Sequence, residues 1–226
     1  MKKRISEGNK QKKQETVKPP TRKKIQDLGV SAKRKQKSKI SVKKKKALKR
    51  KRMLRDVILA SFLTIILAVV ISSFFFKVTK VHGFSMISTL RDEDVLVVKK
   101  RAELKRFDLV AFVNKKNNIQ VRRVIGLSGE KITYEGDTLY VDDQRVDEKF
   151  IVEEINESQA NGKNFTEDFM SGDLTSTKTI PDGYYLVLGD NRPYAADSRV
   201  YGLISAENVV GKVTIRLLPL INLQAF

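Results

Sequence analysis

The stretch Val57–Phe76, VILASFLTIILAVVISSFFF, holds 20 consecutive uncharged residues between Asp56 and Lys77. An α-helix rises about 1.5 Å per residue, so this run reaches about 30 Å, the thickness of the hydrocarbon layer of a bilayer. A cleaved secretory signal would have a shorter apolar centre and no 56-residue segment ahead of it. The stretch therefore predicts one permanent transmembrane anchor over residues 57–76.

Basic residues are concentrated ahead of this anchor. Residues 1–56 carry 24 Lys and Arg against 4 Asp and Glu, whereas the remaining residues carry 21 against 22. Since flanks rich in Lys and Arg stay in the cytoplasm, we expect the N-terminus inside the cell membrane and residues 77–226 outside it.

The segment 1–56 lacks the apolar periodicity that a packed core needs, which predicts a disordered basic tail in the cytoplasm. Its charges would contact anionic lipid headgroups, each gaining about 1 kcal/mol near the bilayer. Phosphates of nucleic acid are the alternative partner, but the tail contains no aromatic residue to stack on a base. We therefore favour lipid and do not expect nucleic acid.

The chain contains no cysteine and one histidine, His82. Disulfides and thiolate chemistry are excluded, and a single histidine does not make a metal cluster. We expect neither a metal nor another cofactor.

Residues 77–226 have the size of one domain, and their short segments rich in Val, Ile and Tyr predict an antiparallel, mainly β fold. Residues 148–180 are polar and without a period, which predicts a variable surface insertion. The predicted strands are Val78–Gly83, Asp94–Lys99, Asp108–Val113, Ile119–Ile125, Lys131–Tyr134, Thr138–Val141, Tyr184–Leu188 and Val209–Leu217.

Three boxes lie in this part of the chain: GFSMISTL at Gly83–Leu90, VRRVIGLSGE at Val121–Glu130, and GDNRPYAADSRVYG at Gly189–Gly202. They resemble the GxSMxPTL, KRxxGLPGD and GDNRxxSxDSRxxG boxes of bacterial type I signal peptidases. Their order is the same and they follow a similar anchor. On these residues the chain is identified as a Gram-positive-type member of that family.

The resemblance implies a β-rich serine protease that cuts signal peptides from exported preproteins, with Ser85 as nucleophile and a lysine as general base. The substrate would add as a strand, with small side chains one and three positions before the cut. The backbone N–H of Ser85 is the expected oxyanion donor, because Gly83 offers no hydroxyl. The supporting residues around the cleft would be Gly83, Met86, Ser88, Arg123, Gly189, Asp190, Asn191, Arg192, Ala195, Asp197, Ser198 and Arg199.

Two simpler structural roles are expected within these boxes. Asp197 and Arg199 can share a face and pair, which would brace the wall of the site. Four glycines are expected at turns or close approaches of the backbone: Gly126, Gly129, Gly189 and Gly202.

The departures from the boxes concern the catalytic groups. Arg122 occupies the position of the catalytic lysine, and arginine keeps its proton above about pH 12, so it is a poor general base. A serine without a base is a weak nucleophile. Ala195 replaces a serine that orients the lysine in the family, while Ser88 and Ser128 replace prolines.

Three other residues could in principle supply a base: His82, Lys115 and Lys116. His82 titrates in the useful range, but on an extended strand it would face away from Ser85. Lys115 and Lys116 lie between asparagines that predict a hairpin tip, where lysines stay solvated and charged. None of the three is expected to replace the lysine.

Two hypotheses therefore stay open for the outer domain. One is a working signal peptidase that uses Ser85 despite Arg122. The other is a catalytically impaired relative that binds exported proteins and assists assembly of surface structures such as pili. A tail that binds RNA is a third, separate hypothesis for residues 1–56.

Overall fold

The computed structural model describes the backbone of residues 22–226 and the side chains of residues 41–226. Two compact units are present, the first ending at Ile65 and the second running from Ile66 to Phe226. The second unit contains all the described strands.

The first described element is a long helix, α1 (Arg22–Phe75). Its part from Ser41 to Phe75 contains an 18-residue window with a mean hydropathy of 2.7 and is, by length and composition, the one candidate membrane span among the described residues. The predicted anchor 57–76 lies in this part except for Phe76, which begins the first strand.

Residues 22–56 have a helical backbone where the sequence pattern predicts a disordered tail, while residues 1–21 lie outside the described backbone. Without an apolar period this segment cannot form a packed core. It can still form a helix, because Lys, Arg, Ala and Leu are good helix formers.

The larger sheet has eight strands in the described part of the chain, in the order β1-β2-β11-β3-β4-β9-β10, with β12 beside β11. All of its pairings are antiparallel. Its strands are β1 (Phe76–Lys80), β2 (Val95–Lys99), β3 (Leu109–Val113), β4 (Ile119–Gly126), β9 (Tyr184–Leu188), β10 (Ile204–Ser205), β11 (Val209–Leu218) and β12 (Gln224–Ala225).

The smaller sheet has four strands in the order β7-β6-β5-β8, again antiparallel. They are β5 (Ile132–Glu135), β6 (Thr138–Val141), β7 (Gln144–Val146) and β8 (Phe169–Met170). The described part of the chain also contains three short α-helices, α2 (Val152–Ala160), α3 (Ser171–Leu174) and α4 (Ser198–Tyr201), and two single-turn 3-10 helices at Ala206–Asn208 and Leu220–Asn222.

Alternating side chains of β3 and β4 divide the core. Leu109, Ala111 and Val121 pack on one face with Met86 and Leu90. Val110, Phe112 and Val124 pack on the other face with Val187 and Ile204. A third cluster, around Ile132 and Leu139, joins the smaller sheet to the larger. Burial on both faces explains why β3 is an almost continuous apolar run.

The mainly antiparallel β prediction is confirmed, and each of the eight predicted strands corresponds to an observed one within a few residues. The short strands β7, β8, β10 and β12 and all three short helices were not predicted. The polar segment 148–180 contains α2, β8 and α3, so it is ordered structure, and β8 pairs with β5.

Candidate functional site

Ser85 lies in a turn between β1 and β2. Its backbone carbonyl accepts a hydrogen bond from Asn191 N at 3.1 Å, and the carbonyl of Phe84 accepts one from Asn191 Nδ2 at 3.0 Å. Met86, next in the chain, is buried in the first core cluster. The turn is therefore anchored on one side by the core and on the other by the third box.

Gly189 permits this close approach. A Cβ at that position would lie 2.5 Å from the carbonyl oxygen of Ser85 and against the Cβ of Ala195. The expectation of a close approach at Gly189 is confirmed, since any side chain there would push the Ser85 turn away.

Arg122 lies on β4, and its guanidinium reaches Ser85. Nη2 donates to Ser85 Oγ at 3.1 Å and to the carbonyl oxygen of Ala196 at 2.7 Å. Nε donates to the same carbonyl at 3.0 Å, and Nη1 donates to the carbonyl of Val121 at 2.6 Å. The structure thus brings together the two residues to which the sequence assigns the nucleophile and the base position.

The surroundings of Arg122 oppose its charge but do not remove it. The residue is 5 % exposed, and burial lowers the pKa of its guanidinium. Burial likewise raises the pKa of the Tyr201 hydroxyl, which lies beside the guanidinium of Arg122 and interacts with it. Arginine stays protonated in proteins, so the group facing Ser85 Oγ is a donor and not a base.

The donors that an oxyanion would need are partly in place. Among the described residues, the backbone N–H of Ser85 has no hydrogen-bond acceptor. A free N–H beside a nucleophile is the geometry that stabilises a developing oxyanion. The arrangement leaves Ser85 with a candidate oxyanion donor but without a proton acceptor.

Arg123 points to the opposite side of β4 and binds Asp190. Its Nε and Nη2 donate to the two carboxylate oxygens at 2.8 and 2.6 Å, and Nη2 also donates to Thr89 Oγ1 at 3.0 Å. Thr89 in turn donates to Asp190 at 2.5 Å. This bidentate pair joins the first, second and third boxes.

Arg192 is buried below the third box. Its guanidinium binds Glu148 at 2.5 Å and Thr166 Oγ1 at 2.9 Å, and its Nε donates to the carbonyl of Gly189 at 3.0 Å. The phenol of Tyr134 donates to Glu148 at 2.8 Å, and burial raises the pKa of this phenol. Sequence reasoning missed Glu148 and Thr166 because both lie in the segment interpreted as an insertion.

Asp197 and Arg199 pair as predicted, at 2.8 Å. Asp197 also accepts from the backbone N–H of Gly189 at 3.0 Å, and Arg199 donates to the carbonyl of Arg192 at 2.6 Å. The buried Ser198 hydroxyl accepts from Val187 N at 3.0 Å. These bonds fix the loop that supplies the Ala196 carbonyl to Arg122.

The two positions that replace prolines have different structural consequences. Ser88 has a φ of 88°, which the ring of proline, locked near −65°, does not permit. Ser128 uses its hydroxyl, accepting from Gly183 N at 3.1 Å and donating to the carbonyl of Tyr184 at 3.2 Å. Ala195 has no hydroxyl to offer to position 122.

The three residues that were not expected to serve as bases, His82, Lys115 and Lys116, have exposed side chains. His82 lies in the loop after β1 and not on a strand, which corrects the strand-parity argument, and its side chain is 69 % exposed. Its ring and the carboxylates of Asp92 and Glu93 lie within 4.8 Å of one another, but Lys80 already pairs with Glu93. Lys115 and Lys116 are exposed at the predicted hairpin tip.

One edge of β4 is open beside Ser85. Residues Ile119–Arg122 pair with β3, while β9 pairs only with the later part of β4, from Arg123 onward. In the described part of the chain, no strand covers the second edge of Ile119–Arg122. Such an edge can accept an added strand.

Comparisons with known proteins show the family to which the chain belongs. Residues 54–218 match the family model described as signal peptidase, peptidase S26. The chain is 38% identical to signal peptidase I V of Bacillus subtilis over 160 residues, covering 69% of this chain and 94% of that protein. It is 34% identical to signal peptidase IB of Staphylococcus aureus strain Mu50 over 177 residues, covering 75% and 92%. A signal peptidase I crystal structure from Enterococcus faecalis V583 is 35% identical, with a TM-score of 0.47, covering 50% of this chain and 98% of that one.

Proposed function

Because this chain belongs to the Gram-positive type I signal peptidase family and carries a candidate membrane span, we propose that it binds exported preproteins at small-x-small sites beside Ser85. In this proposal Ser85 is the nucleophile, and Arg122 makes the chemical step slow at neutral pH.

The open edge of β4 supports the binding part of the proposal. An extended substrate segment added there would place alternate side chains on the two faces of the sheet.

The hydrogen bond from Arg122 to Ser85 Oγ is the observation that carries the chemical part. A general base must accept the proton of the serine, and a guanidinium that donates to the same oxygen does not accept it. Without a base, deprotonation of Ser85 depends on hydroxide from solvent, so turnover should be slow at neutral pH.

The second candidate function is a catalytically impaired relative that binds exported proteins and assists surface or pilus assembly. The guanidinium is fixed by four hydrogen bonds, two of them to Ala196. Such a network preserves the shape of a cleft without supplying a base.

The placement in the cell is also part of the proposal. The excess of basic residues before the span supports an N-terminus in the cytoplasm and the β domain outside. The basic segment 1–56 would contact anionic lipid headgroups, and its residues 1–21 lie outside the described backbone.

The test is cleavage of a preprotein in lipid by purified full-length protein at neutral pH. We expect slow cleavage by the unmodified chain, no cleavage by Ser85→Ala, and faster cleavage by Arg122→Lys, with Ala195→Ser added to orient the lysine. A buried lysine loses its proton far more readily than arginine.

Rapid cleavage by the unmodified chain would show that another base serves Ser85 and would refute the chemical part of the proposal. Cleavage that persists in Ser85→Ala would refute the assignment of the nucleophile. Lys115→Gln, at the exposed hairpin tip, serves as the control for a change of charge alone.

A further inference from the structure

Within residues 41–226, whose side chains the structure describes, the guanidinium of Arg122 has no ionic partner. Of the three buried arginines among the described side chains, Arg123 pairs with Asp190 at 2.6 Å and Arg192 with Glu148 at 2.5 Å. The acceptors of Arg122 are neutral, namely two backbone carbonyls and the hydroxyl of Ser85. A buried charge without a counter-charge costs free energy, so the site favours a ligand that brings a negative charge.

Nearby carboxylates do not supply that charge. Asp197 and Asp190 act on Arg122 from a longer distance. Asp197 is already paired with Arg199 at 2.8 Å, and Asp190 is paired with Arg123. Each of these ion pairs has a net charge close to zero, so neither neutralises the positive charge of Arg122 beside Ser85.

Ser85 presents two donors next to this charge. Since its Oγ accepts from Arg122 Nη2 at 3.1 Å, the hydroxyl proton points elsewhere and can be donated to a ligand in the cleft. The backbone N–H of Ser85 has no acceptor in the described part of the chain. Two donors beside a fixed cation match the two oxygens of a carboxylate.

We propose that the Ser85–Arg122 site binds the free C-terminal carboxylate of an extended peptide. The ligand class is a peptide that ends in a small residue, such as the signal peptide left after the cut. An intact preprotein has a neutral carbonyl at that place. The inference rests on the proposed function, because it takes the peptide to lie along the same open edge of β4.

The replacement of lysine by arginine gives this inference its chemical logic. A lysine buried at position 122 would lose its proton readily and serve as a base. Arginine keeps its charge and presents N–H groups suited to carboxylates. The same substitution that removes the base therefore creates a permanent anion-binding group.

The test compares two short peptides of identical sequence ending in Ala-Ser-Ala, one with a free carboxylate and one with a C-terminal amide. Each is titrated into the detergent-solubilised full-length chain by calorimetry. We expect the acid to bind about 10- to 100-fold more tightly, as for hydrogen bonds to a charged group. Arg122→Gln should abolish this preference, whereas Lys115→Gln, which removes a charge at an exposed tip, should retain it.

Equal affinities of the acid and the amide would overturn the carboxylate site and leave peptide binding standing. Binding of neither peptide would overturn both this inference and the proposed function. If Arg122→Gln does not fold, as judged by circular dichroism, the acid and amide affinities of the unmodified chain decide the matter. In that case the preference for the acid should also fall with rising salt concentration.

Discussion

Gly189→Ala tests whether the third box positions Ser85. The added Cβ would lie 2.5 Å from the carbonyl oxygen of Ser85, while ordinary van der Waals contact begins at 3.4 Å. The turn must therefore move by the difference, about 0.9 Å. A shift of this size at a reacting centre can lower the reaction rate about 100-fold. Overpacking should also reduce the free energy of unfolding by about 1–3 kcal/mol.

Gly126→Ala is the matched control. Its Cβ would also meet packed atoms, Ile132 Cγ1 at 2.7 Å and Ile180 Cδ1, but these belong to the core under the smaller sheet. Neither glycine has a left-handed φ, so both changes act by overlap alone.

The assay is urea unfolding together with binding of a small-x-small peptide. We expect both glycine variants to lose stability by similar amounts, but only Gly189→Ala to lose peptide affinity. Unchanged peptide affinity in Gly189→Ala would refute the claim that Gly189 sets the position of Ser85.

Three further substitutions test other parts of the account. Glu148→Ala leaves Arg192 buried without its carboxylate and should lower the free energy of unfolding in urea by about 3–5 kcal/mol. Glu157→Ala, at an exposed position of α2, should lower it little. Equal losses in the two variants would contradict a stabilising role for the buried pair. Because the φ of Ser88 is 88°, Ser88→Pro should destabilise the fold, whereas Ser88→Gly should stabilise it by about 1 kcal/mol. The opposite order of stabilities would refute the positive φ at this position. His82→Ala should leave the cleavage rate unchanged, and a large loss would identify His82 as a base.

The sequence predicted the sheet well because its signals are local. Strands such as Thr138–Val141 and Tyr184–Leu188 are bounded by polar or glycine breaks and were predicted with the observed ends. The two-residue strands β8, β10 and β12 depend on pairing with distant partners, so no local pattern marks them.

The site residues that lie in the three boxes were predicted from the sequence. Those that join the site only through contacts in the folded chain were missed. Ser85, Arg122 and the Asp197–Arg199 pair come from the boxes and meet in the structure. Glu148 lies in a polar stretch without any motif, and its burial under Arg192 is set by tertiary packing. A buried acid in such a stretch has no sequence signal beyond its charge.

If the Ser85 site lacks only a base, the pH profile of preprotein cleavage should show it. Burial lowers the pKa of the Arg122 guanidinium, and the same burial should lower the pKa of the lysine in Arg122→Lys with Ala195→Ser, so this lysine should deprotonate as pH rises. Its cleavage rate should therefore rise and then reach a plateau.

In the same measurement the unmodified chain should cleave slowly, with a rate that rises about tenfold per pH unit and reaches no plateau, because hydroxide takes the place of the base. A plateau near neutral pH in the unmodified chain would contradict the account, since it would reveal a working base that Arg122 does not provide.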